Sequence, residues 1–157
     1  MTWQDVIEHP SLQDLPFKIE LNEWGQIVMS PASNRHGMYQ SELVWLIRDR
    51  MGTGRVITEC SVQTPLGVKV ADLAWASDDF LVEHGDATPY VRAPEICVEI
   101  LSPSNTGTEM LEKTMLYLAK GAHEVWICTT DGHLTFHDHT GPRTTSAMLP
   151  DFPTQID

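Results

Sequence analysis

The chain has 157 residues, 41% hydrophobic and 20% charged, a balance that fits a folded globular protein and excludes a disordered polymer. Ten Lys and Arg against twenty-two Asp and Glu give a formal charge of −12. That charge argues against nucleic-acid binding by bulk electrostatics, and leaves room for a local patch or bound cations. No apolar run is long enough to span a bilayer, so no membrane association is expected. The start, Met1-Thr2-Trp3-Gln4-Asp5, has no basic region followed by an apolar stretch, so the expected compartment is the cytoplasm.

The length suits one domain over residues 1–157. Residues 1–16, with Pro10 and Pro16, read as an irregular lead-in. Phe17 to Met29 reads as a hairpin turning at Asn22-Glu23-Trp24-Gly25. Ser30-Pro31-Ala32-Ser33-Asn34 then stops the strand and caps a helix over 36–51, where Tyr39, Leu43, Leu46, Ile47 and Met51 recur at helical spacing. Gly52 and Gly54 end it. Residues 55–63 and 68–75 form a second hairpin about Pro65-Leu66-Gly67, and 77–92 reads as polar, acidic loop.

Ile96 to Leu101 is apolar on both faces apart from one carboxylate, the mark of a central strand covered on both sides. Thr106-x-x-Glu109 fits a capping box, and the helix it opens runs to about Lys120 and stops at Gly121. Leu111, Met115 and Leu118 read as its core-facing stripe, with Lys113 on a different face. Glu124 to Cys128 is a further strand, followed by the turn Asp131-Gly132 and a strand from Leu134 to His137. The expected architecture is mixed α/β, a β-sheet flanked by α-helices behind an N-terminal β-hairpin. Cys60, Cys97 and Cys128 each lie in an apolar, strand-like run and read as reduced core residues, because three sparse cysteines supply neither a disulfide framework nor zinc-ligand spacing.

Glu99 interrupts the apolar strand, and an unpaired carboxylate there would be costly or protonated. A metal ion, a basic side chain or solvent must compensate it. The strand ends at Ser102-Pro103, which places Glu99 near a sheet mouth, where ligands sit in α/β proteins. Asp72 is the matching acid of the strand 68–75. If the two strands are neighbours, two oxygen ligands converge and a hard ion such as Mg²⁺ fits; pairing with a basic residue is the alternative. Lys113, with Tyr117 one turn further on, can point back toward the Glu99 strand and offer a point charge. His36 and Gln40, one turn apart, either face a site or serve as cap and surface. Arg35, Arg48, Arg50 and Arg55 outnumber Glu42 and Asp49 in the one locally basic region, which either touches phosphates or is solvated.

The order of these segments resembles the Uma-type putative restriction endonuclease family over about residues 17–138. The resemblance rests on Phe17 to Leu21 with Ile27 to Pro31, on Arg35-His36-Gly37 and Glu42-Leu43, and on the Asp72 strand. It rests above all on Pro94-Glu95-Ile96-Cys97-Val98-Glu99-Ile100-Leu101-Ser102-Pro103-Ser104, followed by Lys113, Tyr117, Gly121 and Glu124-Val125-Trp126-Ile127. The family is placed in the PD-(D/E)XK nuclease superfamily, so the resemblance implies a restriction-endonuclease-like core with metal-binding acids at a strand end. It implies Asp72 and Glu99 as the catalytic, metal-binding acids and Lys113 as the catalytic basic residue, moved from the strand to the following helix. Glu42, His36, Gln40 and Tyr117 would be accessory. Ala71 stands where the motif has proline, and Leu101 where the superfamily pattern has lysine.

The implied activity is Mg²⁺- or Mn²⁺-dependent hydrolysis of DNA phosphodiesters, with a homodimer supplying two sites. A non-catalytic protein- or DNA-interaction module of the same fold is the rival, favoured by the charge of −12. RNA as substrate is a third reading.

Overall fold

Thr2 opens the first helix. Its hydroxyl accepts the Asp5 amide while the Asp5 carboxylate accepts the Thr2 N–H, so residues 3–8 form α1 (Trp3–Glu8), followed by a 3₁₀ turn at Pro10–Leu12. The lead-in is therefore ordered, in contrast to the irregular segment expected for residues 1–16. The computed structural model describes residues 1–157.

The N-terminal hairpin pairs β1 (Phe17–Leu21) with β2 (Ile27–Pro31) as a separate two-stranded sheet. Its turn end is docked on the turn between the next two strands. Gly67 there has φ +93 and so little space that a Cβ would meet the backbone of Leu21 and Asn22. Helix α2 (Asn34–Met51) starts where the Ser33 hydroxyl accepts the His36 N–H and ends at left-handed Gly52.

The main sheet runs β3 (Arg55–Thr64), β4 (Gly67–Ala76), β5 (Ile96–Ile100), β6 (Glu124–Cys128), β7 (Leu134–Asp138), β8 (Gly141–Arg143), in that spatial order. Every neighbouring pair is antiparallel except β5 with β6, which are parallel and joined through α4 (Gly107–Ala119). Within the stretch read as loop, Ser77 caps a short α3 (Asp78–His84) by accepting the Phe80 N–H. The compact cap, rather than any long periodic pattern, makes this helix. No helix is long and apolar enough to cross a membrane.

Two cores lie on the two faces of the sheet. Leu43 and Ile47 of α2 pack on Leu73, Ile96, Val98 and Trp126 on one side, while Met110 and Tyr117 of α4 pack on Ala74, Cys97 and Val125 on the other. Strand alternation in β5 thus sends Ile96, Val98 and Ile100 toward α2 and leaves Cys97 and Glu99 for the α4 side. Cys60, Cys97 and Cys128 are free and buried, and burial pushes the Cys60 and Cys128 thiols up to about 12.

The face that α4 turns inward differs from the sequence expectation. Met110, Lys113, Thr114 and Tyr117 are buried, while Leu111 and Met115 are 60% and 62% exposed. The sheet beneath presents a carboxylate, so the helix that covers it turns its polar Lys113 and Tyr117 inward to satisfy that group and leaves two apolar residues outside.

Candidate active site

The ladder between β4 and β5 holds from Trp75–Ile96 to Leu73–Val98 and then stops. One further step of that register brings Asp72 opposite Glu99, at the point where the strands part. The Asp72 carboxylate fills the opening: its Oδ2 accepts the Ile100 N–H at 2.7 Å. The ladder to β3 also skips Asp72, because its neighbour Glu59 adopts a left-handed φ of +51. Such a conformation in a residue with a Cβ costs on the order of 1–3 kcal/mol and is held here by its surroundings. Gln40 of α2 is one of them, its amide donating to Glu59 Oε1 at 2.9 Å and to the Asp72 carbonyl at 2.7 Å.

Asp72 and Glu99 are 1% and 2% exposed, and one cation lies between them. The Lys18 ammonium of β1 is 3.0 Å from Asp72 Oδ1 and 3.0 Å from Glu99 Oε2. His36 Nε2 is 3.2 Å from the same Asp72 oxygen. On the far side, Glu99 Oε1 accepts the Tyr117 hydroxyl at 2.8 Å and lies 3.3 Å from Lys113 Nζ. Lys113 also reaches Glu20 of β1 at 2.9 Å, and Glu20 in turn accepts the Val70 N–H at 2.7 Å. Lys18 and Glu20, two residues apart on β1, share the face of the hairpin that crosses β4.

These contacts set the charges. Burial alone would raise the Asp72 carboxyl, but the Lys18 charge, the His36 contact and the Ile100 N–H hold it well below the usual carboxylate range. Burial pushes the Glu99 carboxyl above its ordinary value, against the pull of Lys113 and Lys18. Burial opposes charge on Lys18 as well, yet Glu99, Asp72 and Glu20 keep its ammonium protonated. The Asp72 contact raises the His36 pKa, with burial in opposition.

The cluster lines a cleft of about 600 Å³ between the hairpin, the start of α2, the middle of β4, the end of β5 and the start of α4. Of the residues singled out in the sequence, Asp72, Glu99, Lys113, His36 and Gln40 line it, and Tyr117 meets the cluster from beneath, through Glu99. Glu42 does not. It is exposed on α2, two residues and about 200° around the helix from Gln40, outside the cleft lining. The arginines of the basic region lie apart from the acids too: Arg35 donates to the Thr130 carbonyl and Arg50 stacks over Phe152. The sequence reading missed Lys18, Glu20 and Glu59. The signal for the first two is two charges alternating with Ile19 in a strand, which also describes an ordinary solvent face.

Two carboxylate oxygens converging on one position that already holds a cationic nitrogen are a donor set suited to a hard divalent ion. No group of three or more His, Cys, Asp and Glu side chains shares a metal-binding position.

Comparison with known proteins agrees with this architecture. A computed comparison of folds finds the crystal structure of a putative nuclease of the DUF820 group from Anabaena variabilis, with a TM-score of 0.72 and 19% identity over 91% of this chain and 83% of that one. At that identity the likeness establishes the shared fold. No curated protein matches the chain. The family model of Uma2, described as putative restriction endonuclease, matches residues 3–141, from α1 to the start of β8. The chain belongs to the Uma2 family.

Proposed function

We propose that the protein is a divalent-metal-dependent endonuclease that hydrolyses DNA phosphodiester bonds, with Asp72 and Glu99 holding Mg²⁺ or Mn²⁺ and Lys113 assisting. The observation that carries this reading is the convergence of Asp72 Oδ1 and Glu99 Oε2 on a single cation position, with the Lys113 ammonium against the other Glu99 oxygen. When bound, the ion supplies Lewis-acid polarisation of the scissile phosphate and lowers the pKa of an attacking water.

The chain's own residues prepare that chemistry. Ile100 fixes the Asp72 carboxylate through its N–H, which leaves Oδ1 directed at the shared position. Tyr117 orients Glu99 by donating to Oε1, leaving Oε2 directed at the same point. Lys113 is 5% exposed and tied to the fold by Glu20, so its charge is already in place and needs little reorganisation as negative charge develops on a phosphate. His36 stands on the cleft side of Asp72, within hydrogen-bond reach of a group bound there. Cutting both strands of a duplex calls for two such sites, which a two-fold homodimer supplies. Three unpaired, buried cysteines suit a reducing cytoplasm.

A second reading, a non-catalytic interaction module, is favoured by one observation: Lys18 already pairs with both acids. Supercoiled plasmid separates the two. An endonuclease nicks it in Mg²⁺ or Mn²⁺ and loses that activity in Glu99→Gln, whereas plasmid left intact across divalent ions selects the interaction module.

A further inference from the structure

The cation between the two acids belongs to the chain itself. Lys18 comes from the hairpin, which shares no ladder with the main sheet. The hairpin is fastened at its turn end, by the close approach at Gly67 and by Leu21 packing with Val6 and Val68. Its open end, which runs on into the Ser33 cap of α2, packs less closely: Phe17 is 42% exposed, and its register partner Pro31 is also exposed. Lys18 sits next to that open end, its side chain 13% exposed in the wall of the cleft, and its four-carbon stem gives the ammonium a path out through the cleft.

We propose that Lys18 holds the divalent-ion position in the metal-free protein, and that a bound ion and the seated lysine exclude one another. The inference rests on the reading of Asp72 and Glu99 as the ion's ligands. An ion bound to both carboxylates takes oxygens at about 2.0–2.6 Å, and Lys18 Nζ is already within 3.0 Å of each, so the two cations would occupy one place. The charges balance the same way. With Lys18 seated, Asp72, Glu99 and Glu20 face two ammonium groups. With Lys18 withdrawn they keep only Lys113 and the His36 contact to Asp72, and a divalent ion restores the lost positive charge. Lys113 stays, because Glu20 and Glu99 both hold it away from the shared oxygens. Lys18 is thus an internal competitor that keeps two adjacent buried carboxylates neutralised until an ion arrives.

The test is calorimetric titration of the full chain with Mn²⁺ alone. Lys18→Met, uncharged and of similar length, is expected to bind Mn²⁺ at least tenfold more tightly than the wild type, and Lys18→Met/Asp72→Asn is expected to lose the gain. Equal Mn²⁺ affinity in the wild type and Lys18→Met overturns the competition and leaves the ion site standing. Absence of Mn²⁺ binding in both removes the ion site and the competition with it. A second measurement on the wild type covers a Lys18→Met variant that fails to fold. With saturating Mg²⁺ the Lys18 amine is expected to be acetylated several-fold faster by acetic anhydride, read by peptide mass spectrometry, while Lys113 is unchanged. An unchanged Lys18 acetylation rate at a Mg²⁺ concentration that saturates the protein overturns the proposal.

Discussion

β5 and β6 lie side by side as the parallel pair of the sheet, and each buries a glutamate, yet the two carboxylates are satisfied in opposite ways. Glu124, at the leading end of β6, accepts the Trp126 indole N–H and the Ser146 hydroxyl on one oxygen, each at 2.7 Å. Its other oxygen accepts the Ala147 and Met148 amides at 2.7 and 3.0 Å. All four donors are neutral, and the three from residues 146–148 pin the C-terminal segment to the sheet. Glu99, toward the trailing end of β5, has one neutral donor, the Tyr117 hydroxyl, and its remaining partners are the two ammonium groups. A carboxylate with a full set of neutral donors gains little from a cation. One balanced by a lysine on a separate hairpin can exchange that cation for another. Placement follows the same division, since ligands of α/β sheets collect at the carboxyl ends of the parallel strands.

The contrast can be broken most sharply by making the same substitution at both glutamates. Glu99→Gln should reduce plasmid nicking to background and abolish Mn²⁺ binding. It should still fold and lose less stability than Glu124→Gln, because Lys18 keeps Asp72 and Lys113 keeps Glu20 as partners. Glu124→Gln should do the reverse. It turns an amide NH₂ toward donors, so unfolding in urea should show a loss of about 2–4 kcal/mol, with Mn²⁺ affinity retained in the folded fraction. Stability loss at Glu99 equal to that at Glu124 would erase the distinction between the two.

Lys113→Met sharpens the account of the cleft. Mn²⁺ affinity should be retained, since the lysine touches the Glu99 oxygen turned away from the shared position, while nicking should fall about 10²–10³-fold. An unchanged rate would remove Lys113 from the chemistry. The structural end of the sheet gives a smaller effect. Trp126→Phe deletes one neutral donor to Glu124 and should cost about 1 kcal/mol or somewhat more, readable as a lowered Tm with nicking intact.

The smallest effect is a pH dependence. The Asp72 contact raises the His36 pKa above the ordinary histidine value of 6.5, so folding favours the protonated imidazole. The resulting stabilisation is complete below the unfolded-state pKa and fades as pH rises through the folded-state value. The stability difference between wild type and His36→Gln should therefore be under about 1 kcal/mol in mild acid and shrink further in mild alkali, by urea titration at each pH. A difference that grows with pH would contradict the His36–Asp72 pairing.

Much of this arrangement is legible in the sequence, for physical reasons that also mark where legibility ends. Glu99 stands out because a carboxylate amid Ile96, Cys97, Val98 and Ile100 cannot be a surface residue of a two-sided strand. Both hairpins and α2 follow from period-two and helical spacing bounded by glycine and proline. Lys18 and Glu20 follow the same period-two rule, but alternation does not say which face of a two-stranded hairpin is covered, and only its crossing of β4 turns that face inward. On α4 the apolar stripe misleads, because the surface it would cover is charged. Leu111 and Met115 stay outside, and Lys113 with Tyr117 takes their expected place. The Thr2-Asp5 cap lies close to Pro10, and proline content hides a helix only six residues long.

The central claim is that Asp72 and Glu99 form one cation position that a divalent ion shares with Lys18 by exclusion. Crystals of the protein soaked in Mn²⁺ and measured for anomalous scattering test it most directly. The account predicts one peak within about 2.0–2.6 Å of both carboxylates, with Lys18 withdrawn from both and Lys113 still on Glu20. Lys18 remaining 3.0 Å from each acid, with no peak between them at saturating Mn²⁺, would contradict it.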